Sequence, residues 1–133
     1  MMDLSDTEFE QQFAACTLDP SLFTHEAHLR LAWIHVHKYG LSKAIDHISL
    51  QIQAYDVAFG DGTKYHRTLT IASVHVMDHF IRKSSSHTFT EFIEEFPRLR
   101  THFREIIAQH YAKDIFKDVQ AKHAFVEPDL RPF

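Results

Sequence analysis

The sequence predicts an all-α protein, and three observations carry that expectation. Gly and Pro number three and four in 133 residues, too few for the tight turns of an all-β chain. Apolar residues recur at helical spacing over most of the length. The residues that interrupt this spacing are of types that cap or stop helices. A chain of this size buries roughly two-thirds of its unfolded surface and needs no disulfide or structural metal to fold. The expectation is one domain over residues 1–133: a helical bundle of about five to six helices with an extended C-terminal tail.

The first helix is expected over 6–16, with Phe9 and Phe13 at i, i+4 and Asp6 or Ser5 as its cap. "LDPS" at 18–21 breaks the chain, and Pro20 suits a turn or a first helical position. The stretch "FTHEAHLRLAWIHVHKYG", 23–40, reads as the second helix. Thr24 is placed to cap it, Glu26 sits in its first turn, and Gly40 ends it after Lys38. A third helix follows over 42–59, its stripe made by Ala44, Ile45, Ile48, Ile52, Tyr55 and Phe59. "GDGTK" at 60–64 is a loop. A fourth helix is expected over 66–83 and weaker ones over 88–96 and 98–117, divided by Pro97. The tail "FVEPDLRPF" holds two prolines and should be extended, anchored by Phe125, Leu130 and Phe133. Short connections make sequential helices antiparallel neighbours.

Composition excludes several classes of function. A formal net charge of −4 leaves no electrostatic footprint for nucleic acid. No apolar run approaches the about 18 residues that cross a bilayer. Cys16 is the single cysteine, so no intramolecular disulfide forms, and it reads as a small buried hydrophobe. The opening "MMDLSDTEFE" is acidic and does not resemble a secretory signal, which makes a cytoplasmic protein the expectation. "FGDGTK" lacks the spacing and the preceding strand of a phosphate-binding loop.

The second helix poses the functional question. At about 100° per residue, His25, His28, Ala32, His35 and Tyr39 share one stripe near the centre of its apolar arc. The stripe should be buried, and each buried imidazole then needs a hydrogen bond or a metal. In an up-down-up arrangement the starts of helices two and four meet at one end of the bundle. That gathers His25, His28 and His66, with Tyr65 beside them and Asp56 on the third helix. Helix N-termini favour neutral imidazole and bound anions. Neutral imidazole is also the ligand form for zinc or iron. His35, about two turns deeper, reads as a core histidine bonded to a backbone or side-chain group. His75 and His79 fall toward the polar side of the fourth helix and read as solvated.

The phrases "FTHEAHL" at 23–29, "KYHRTLT" at 64–70 and "FVEPDLRP" at 125–132 resemble the signature segments of a family of small all-helical bacterial proteins with no assigned activity. The resemblance runs from about Leu22 to Pro132. It implies that His25, His28, Tyr65, His66 and Thr68 belong to the motifs, with Pro128, Asp129 and Leu130. Arg67 stands where the pattern expects an acidic residue, which argues against a ligand role there.

Three readings follow. In the first, the protein is a metal-dependent enzyme acting on a small polar molecule. His25, His28 and His66 hold a divalent metal, iron or zinc, and Asp56, Glu127 or Asp129 is a fourth ligand. Tyr65 and Asp56 orient the substrate or move a proton. In the second, the same His–Tyr–Asp pocket binds an anionic small molecule, or performs acid–base chemistry, without metal. In the third, the protein is non-catalytic and its histidines form a buried network, for instance His66 with Asp129.

Overall fold

The computed structural model describes residues 4–133; the first three residues of the acidic opening stretch lie outside them. The described residues form eight helices: α1 (Asp6–Ala14), α2 (His25–Tyr39), α3 (Leu41–Phe59), α4 (Arg67–Lys83), α5 (Phe89–Glu95), α6 (Arg98–Thr101), α7 (Phe103–Ala108) and α8 (Val119–His123). Among them no strand occurs, and no helix is long and apolar enough to cross a membrane. The chain's contacts cluster into two compact units, one ending at Tyr65 and the other beginning at His66.

In the first unit the caps follow local chemistry. Ser5 closes a capping box with Glu8: its Oγ accepts from the Glu8 amide at 3.1 Å, and Glu8 Oε1 accepts from the Ser5 amide at 3.0 Å. Phe9 and Phe13 are fully buried. Asp19 caps a short 3-10 turn at Pro20–Leu22. Thr24 Oγ1 accepts from the Ala27 amide at 3.2 Å and starts α2. Gly40, at φ 85°, is the whole connection between α2 and α3, and the left-handed backbone there favours glycine. The two long helices pack against one another as a hairpin, and α1 lies against both. Phe13 stacks on Tyr55 with ring centroids 4.8 Å apart, and the Tyr55 hydroxyl donates to the Leu18 carbonyl at 2.8 Å. Asp6 receives both Nε and Nη2 of Arg30, whose guanidinium lies 5.0 Å from the Phe9 ring centre.

In the second unit α4 packs against α7 and α8. Thr88 and Glu91 form a second capping box at α5. The helix expected over 98–117 is broken. The chain leaves helical geometry at His102 (φ −134°, ψ 28°), and α7 ends at Ala108. Residues 109–118 then turn around side-chain acceptors: Asp114 Oδ1 takes the Phe116 amide at 3.0 Å, and Asp118 caps α8. The apolar periodicity was real, since Leu99, Ile106, Ile107, Tyr111 and Ile115 are buried. Amphipathic spacing served here to bury short pieces, not one long helix.

Residues 124–133 are non-helical and bond back to their own unit. The Tyr111 hydroxyl donates to the Val126 carbonyl at 2.8 Å, and Asp129 Oδ1 accepts the Ala112 amide at 2.9 Å. Phe133 stacks on His75, with centroids 4.8 Å apart and planes 13° apart. His75 is therefore half-buried beneath a ring and not a solvated side chain. Leu130, expected as an anchor, is 63% exposed; its amide does the holding, donating to the His110 carbonyl at 3.1 Å.

Candidate functional site

A cavity of about 300 Å³ opens in the first unit, walled by Phe23, His28, Tyr55, Asp56, Lys64 and Tyr65. α2 supplies the imidazole. His28 donates from Nδ1 to the Thr24 carbonyl one turn back, at 2.7 Å. A carbonyl only accepts, so Nδ1 holds the proton and Nε2 is the ring's unspent nitrogen. Phe23 stacks over the ring, with centroids 3.7 Å apart and planes 20° apart. His28 as a residue remains exposed. Loss of water around the stacked ring lowers its pKa below the ordinary histidine value, aided by the charge of His25 and opposed by the bond to Thr24. His28 is accordingly a neutral acceptor at neutral pH.

The last turn of α3 supplies the carboxylate. Asp56 is buried, and its Oδ2 accepts the Lys64 amide at 2.8 Å and the Tyr65 amide at 3.1 Å. It works as a clasp that folds the 60–65 loop back over α3 and sets Lys64 and Tyr65 on the cavity wall. Gly60 makes the clasp sterically feasible. A Cβ there would stand 2.8 Å from Asp56 Oδ1 and 2.9 Å from the Asp56 carbonyl oxygen. We expect Gly60→Ala to cost about 1–3 kcal/mol through this overpacking. Urea unfolding would read the loss, and hydrogen exchange would show the Lys64 and Tyr65 amides losing protection. Unchanged protection would mean that the loop folds without the clasp.

The expected site residues divide as follows. His28, Asp56 and Tyr65 share the cavity of the first unit. The Tyr65 hydroxyl is buried there with no hydrogen-bond partner among the described residues. His25 opens α2 and is exposed, as is His28, so burial of the histidine stripe begins only deeper, at Ala32 and His35. His66 caps α4: its Nδ1 accepts from the Leu69 amide at 3.0 Å, and its Nε2 donates to the Ile115 carbonyl at 2.8 Å. Both nitrogens are thereby spent on backbone, leaving no lone pair for a metal. Among the described residues no three His, Cys, Asp or Glu side chains come together as a group that could hold a metal ion. The residues present therefore do not fit a His25–His28–His66 centre for iron or zinc. Asp129 meets Ala112 rather than His66, and Glu127 is exposed.

His35 also departs from expectation. It is 1% exposed, as a core histidine should be, yet neither ring nitrogen has a hydrogen-bond partner among the described residues. Burial pushes its pKa down to about 4, against the attraction of Glu10.

Sequence reasoning did not assign Phe23, Tyr55 or Lys64 to a site. Phe23 and Lys64 stood inside the quoted phrases, next to the histidine and tyrosine that drew attention. Tyr55 stood on the stripe of α3 and read as core, which it also is. Compared with models of known protein families, with curated proteins and with solved structures, the chain gives no match. The geometry of the cavity is the ground for a functional reading.

Proposed function

We propose that the first unit binds a small planar anion without a metal, with His28 as hydrogen-bond acceptor and Lys64 as the positive charge. The observation that carries this is the state of His28: proton fixed on Nδ1, ring held flat against Phe23, Nε2 unspent on a cavity wall that also bears an exposed lysine. Phe23 and Tyr55 give the wall an aromatic lining whose faces are already packed on His28 and Phe13, so a planar ligand meets their edges. A neutral imidazole accepts a proton from a ligand hydroxyl, so the same site has the capacity for general-base chemistry near neutral pH. Asp56 acts here by positioning the loop that carries Lys64 and Tyr65.

The test compares 4-hydroxybenzoate, benzoate and phenol by amide chemical-shift mapping. We expect 4-hydroxybenzoate to bind most tightly, with shifts at Phe23, His28 and Tyr55. Lys64→Gln should weaken it by about fivefold, the worth of one exposed charge pair. His28→Phe should abolish its advantage over benzoate. Phenol binding as tightly as the acids would overturn the anion reading, and stoichiometric zinc or iron uptake abolished by His28→Phe would return a metal to the site.

In the second unit the motif residues support an architectural reading. His66, Thr68 and Asp129, and outside the motifs Tyr111, each spend side-chain atoms on backbone groups distant in sequence. Thr68, Tyr111 and Asp129 thereby hold the C-terminal segment and His66 holds the turn at Ile115, work separate from the binding proposed for the first unit.

A further inference from the structure

A second cavity, of about 330 Å³, lies within the second unit, between α4, α7 and the C-terminal segment. Val76, Phe80, Ile106 and Phe133 give it an apolar lining. Every ionisable side chain on its wall is basic: His79, Lys83, His110 and Arg131. This stands out in a chain whose formal net charge is −4. The nearby acids are otherwise engaged, Asp78 with Arg82 at 2.9 Å and Asp129 with the Ala112 amide at 2.9 Å. Loss of water first, then the charges of Lys83, His110 and Arg82, hold the pKa of His79 below its ordinary value against the opposing charge of Asp78.

The site is also built rather than casual. His110 is 7% exposed, and its Nδ1 donates to the Arg131 carbonyl at 2.8 Å. That fixes its tautomer and leaves Nε2 without a protein partner among the described residues, on a residue that lines the cavity. The His110 carbonyl takes the Leu130 amide, so backbone and side chain of one residue both pin the segment that carries Arg131. Gln109 Oε1 accepts from Arg131 Nη1 at 3.2 Å and restrains the guanidinium. Phe133 lies tilted against His110, centroids 4.8 Å apart, and closes the apolar side.

We propose that this cavity binds a small phosphate monoester with an aromatic or apolar body. Two permanent cations, Lys83 and Arg131, match the two charges of a phosphate monoester better than the single charge of a carboxylate. The His110 ring, its Nδ1 proton spent on the Arg131 carbonyl, shapes the wall and is not counted as a phosphate donor. A guanidinium held by its neighbours presents a fork suited to phosphate oxygens. The apolar wall gives the body of the ligand a place that inorganic phosphate would leave unused.

Phenyl phosphate, inorganic phosphate, benzoate and benzyl alcohol are titrated into the full chain, with binding followed by calorimetry and located by amide shifts. The expected result is that phenyl phosphate binds most tightly, with shifts at Val76, Lys83, His110 and Phe133. Lys83→Gln with Arg131→Gln should weaken it roughly tenfold, both side chains being exposed. Lys117→Gln, an exposed lysine off the cavity wall, should leave it unchanged. Inorganic phosphate binding as tightly as phenyl phosphate would overturn the inference, because the apolar wall would then contribute nothing. Tighter binding of benzoate would make this a carboxylate site, and weakening by Lys117→Gln would reduce it to diffuse charge; either overturns the inference.

Discussion

His35→Leu should raise the stability of the protein by about 1–3 kcal/mol at pH 7, because it replaces two buried nitrogens that have no partner with apolar surface of similar volume. The imidazole lies at 1% exposure in α2, its ring 5.3 Å from that of Tyr39 and 5.5 Å from that of His47. Glu10 is the acid whose charge reaches it, but the Glu10 oxygens are taken by Lys38 and Tyr39. The histidine is thus surrounded by groups that satisfy one another. Single core substitutions that stabilise are uncommon, so the sign of this effect is itself informative.

The same residue sets an acid sensitivity. Folding lowers the His35 pKa from 6.5 to about 4. Below 6.5 the unfolded chain binds a proton that the folded chain refuses, so stability is present above that pH and is lost as pH falls toward 4. Integrated over the window, the loss is about 2–3 kcal/mol. His28, His75 and His79 are shifted in the same direction and add to it. The difference between wild type and His35→Leu isolates the one group. Urea unfolding from pH 7 to 4.5 should show the variant's advantage growing as pH falls. An advantage that stays constant, or a variant less stable at pH 7, would mean that the imidazole finds a partner in solution.

What was legible in the sequence was whatever a few neighbouring residues decide. The caps at Ser5 and Thr24 and the stop at Gly40 rest on contacts within four residues, and each stands where the local sequence placed it. The all-α class follows from those signals together. Depth was not legible. Helical spacing put His25, His28 and His35 on one stripe, but only the last is buried, since periodicity gives direction around a helix and nothing about distance from its end. Partners far along the chain were equally hidden. His66 meets Ile115 across 49 positions, and the basic cavity collects Lys83, His110 and Arg131 from three separate segments. The break between α7 and α8 is of the same kind, because Asp129 takes an amide of the turn from outside it.

His66→Ala should be the most damaging single substitution among the motif residues, at about 2–4 kcal/mol. One part is the helix cap: the Leu69 amide loses its acceptor, worth about 1 kcal/mol by analogy with other caps. The other part is the Ile115 carbonyl. Ile115 is 1% exposed, and its oxygen would lose the donor that reaches it from α4. A buried acceptor left unmade costs about 1–3 kcal/mol. The two parts separate by chemistry. His66→Asn keeps a side-chain oxygen at the cap position but cannot span to Ile115, so it should recover about 1 kcal/mol of the loss. His66→Gln has the reach of a longer amide without the ring geometry, and should fall between Ala and wild type. A metal role predicts a different pattern. There Ala, Asn and Gln would be similar, and wild type stripped with a chelator would fall to their level. The ordering Ala below Asn below wild type, with no response of wild type to chelator, is what a histidine spent on two backbone groups produces. Equal losses in all three variants, matched by the chelated wild type, would sink it.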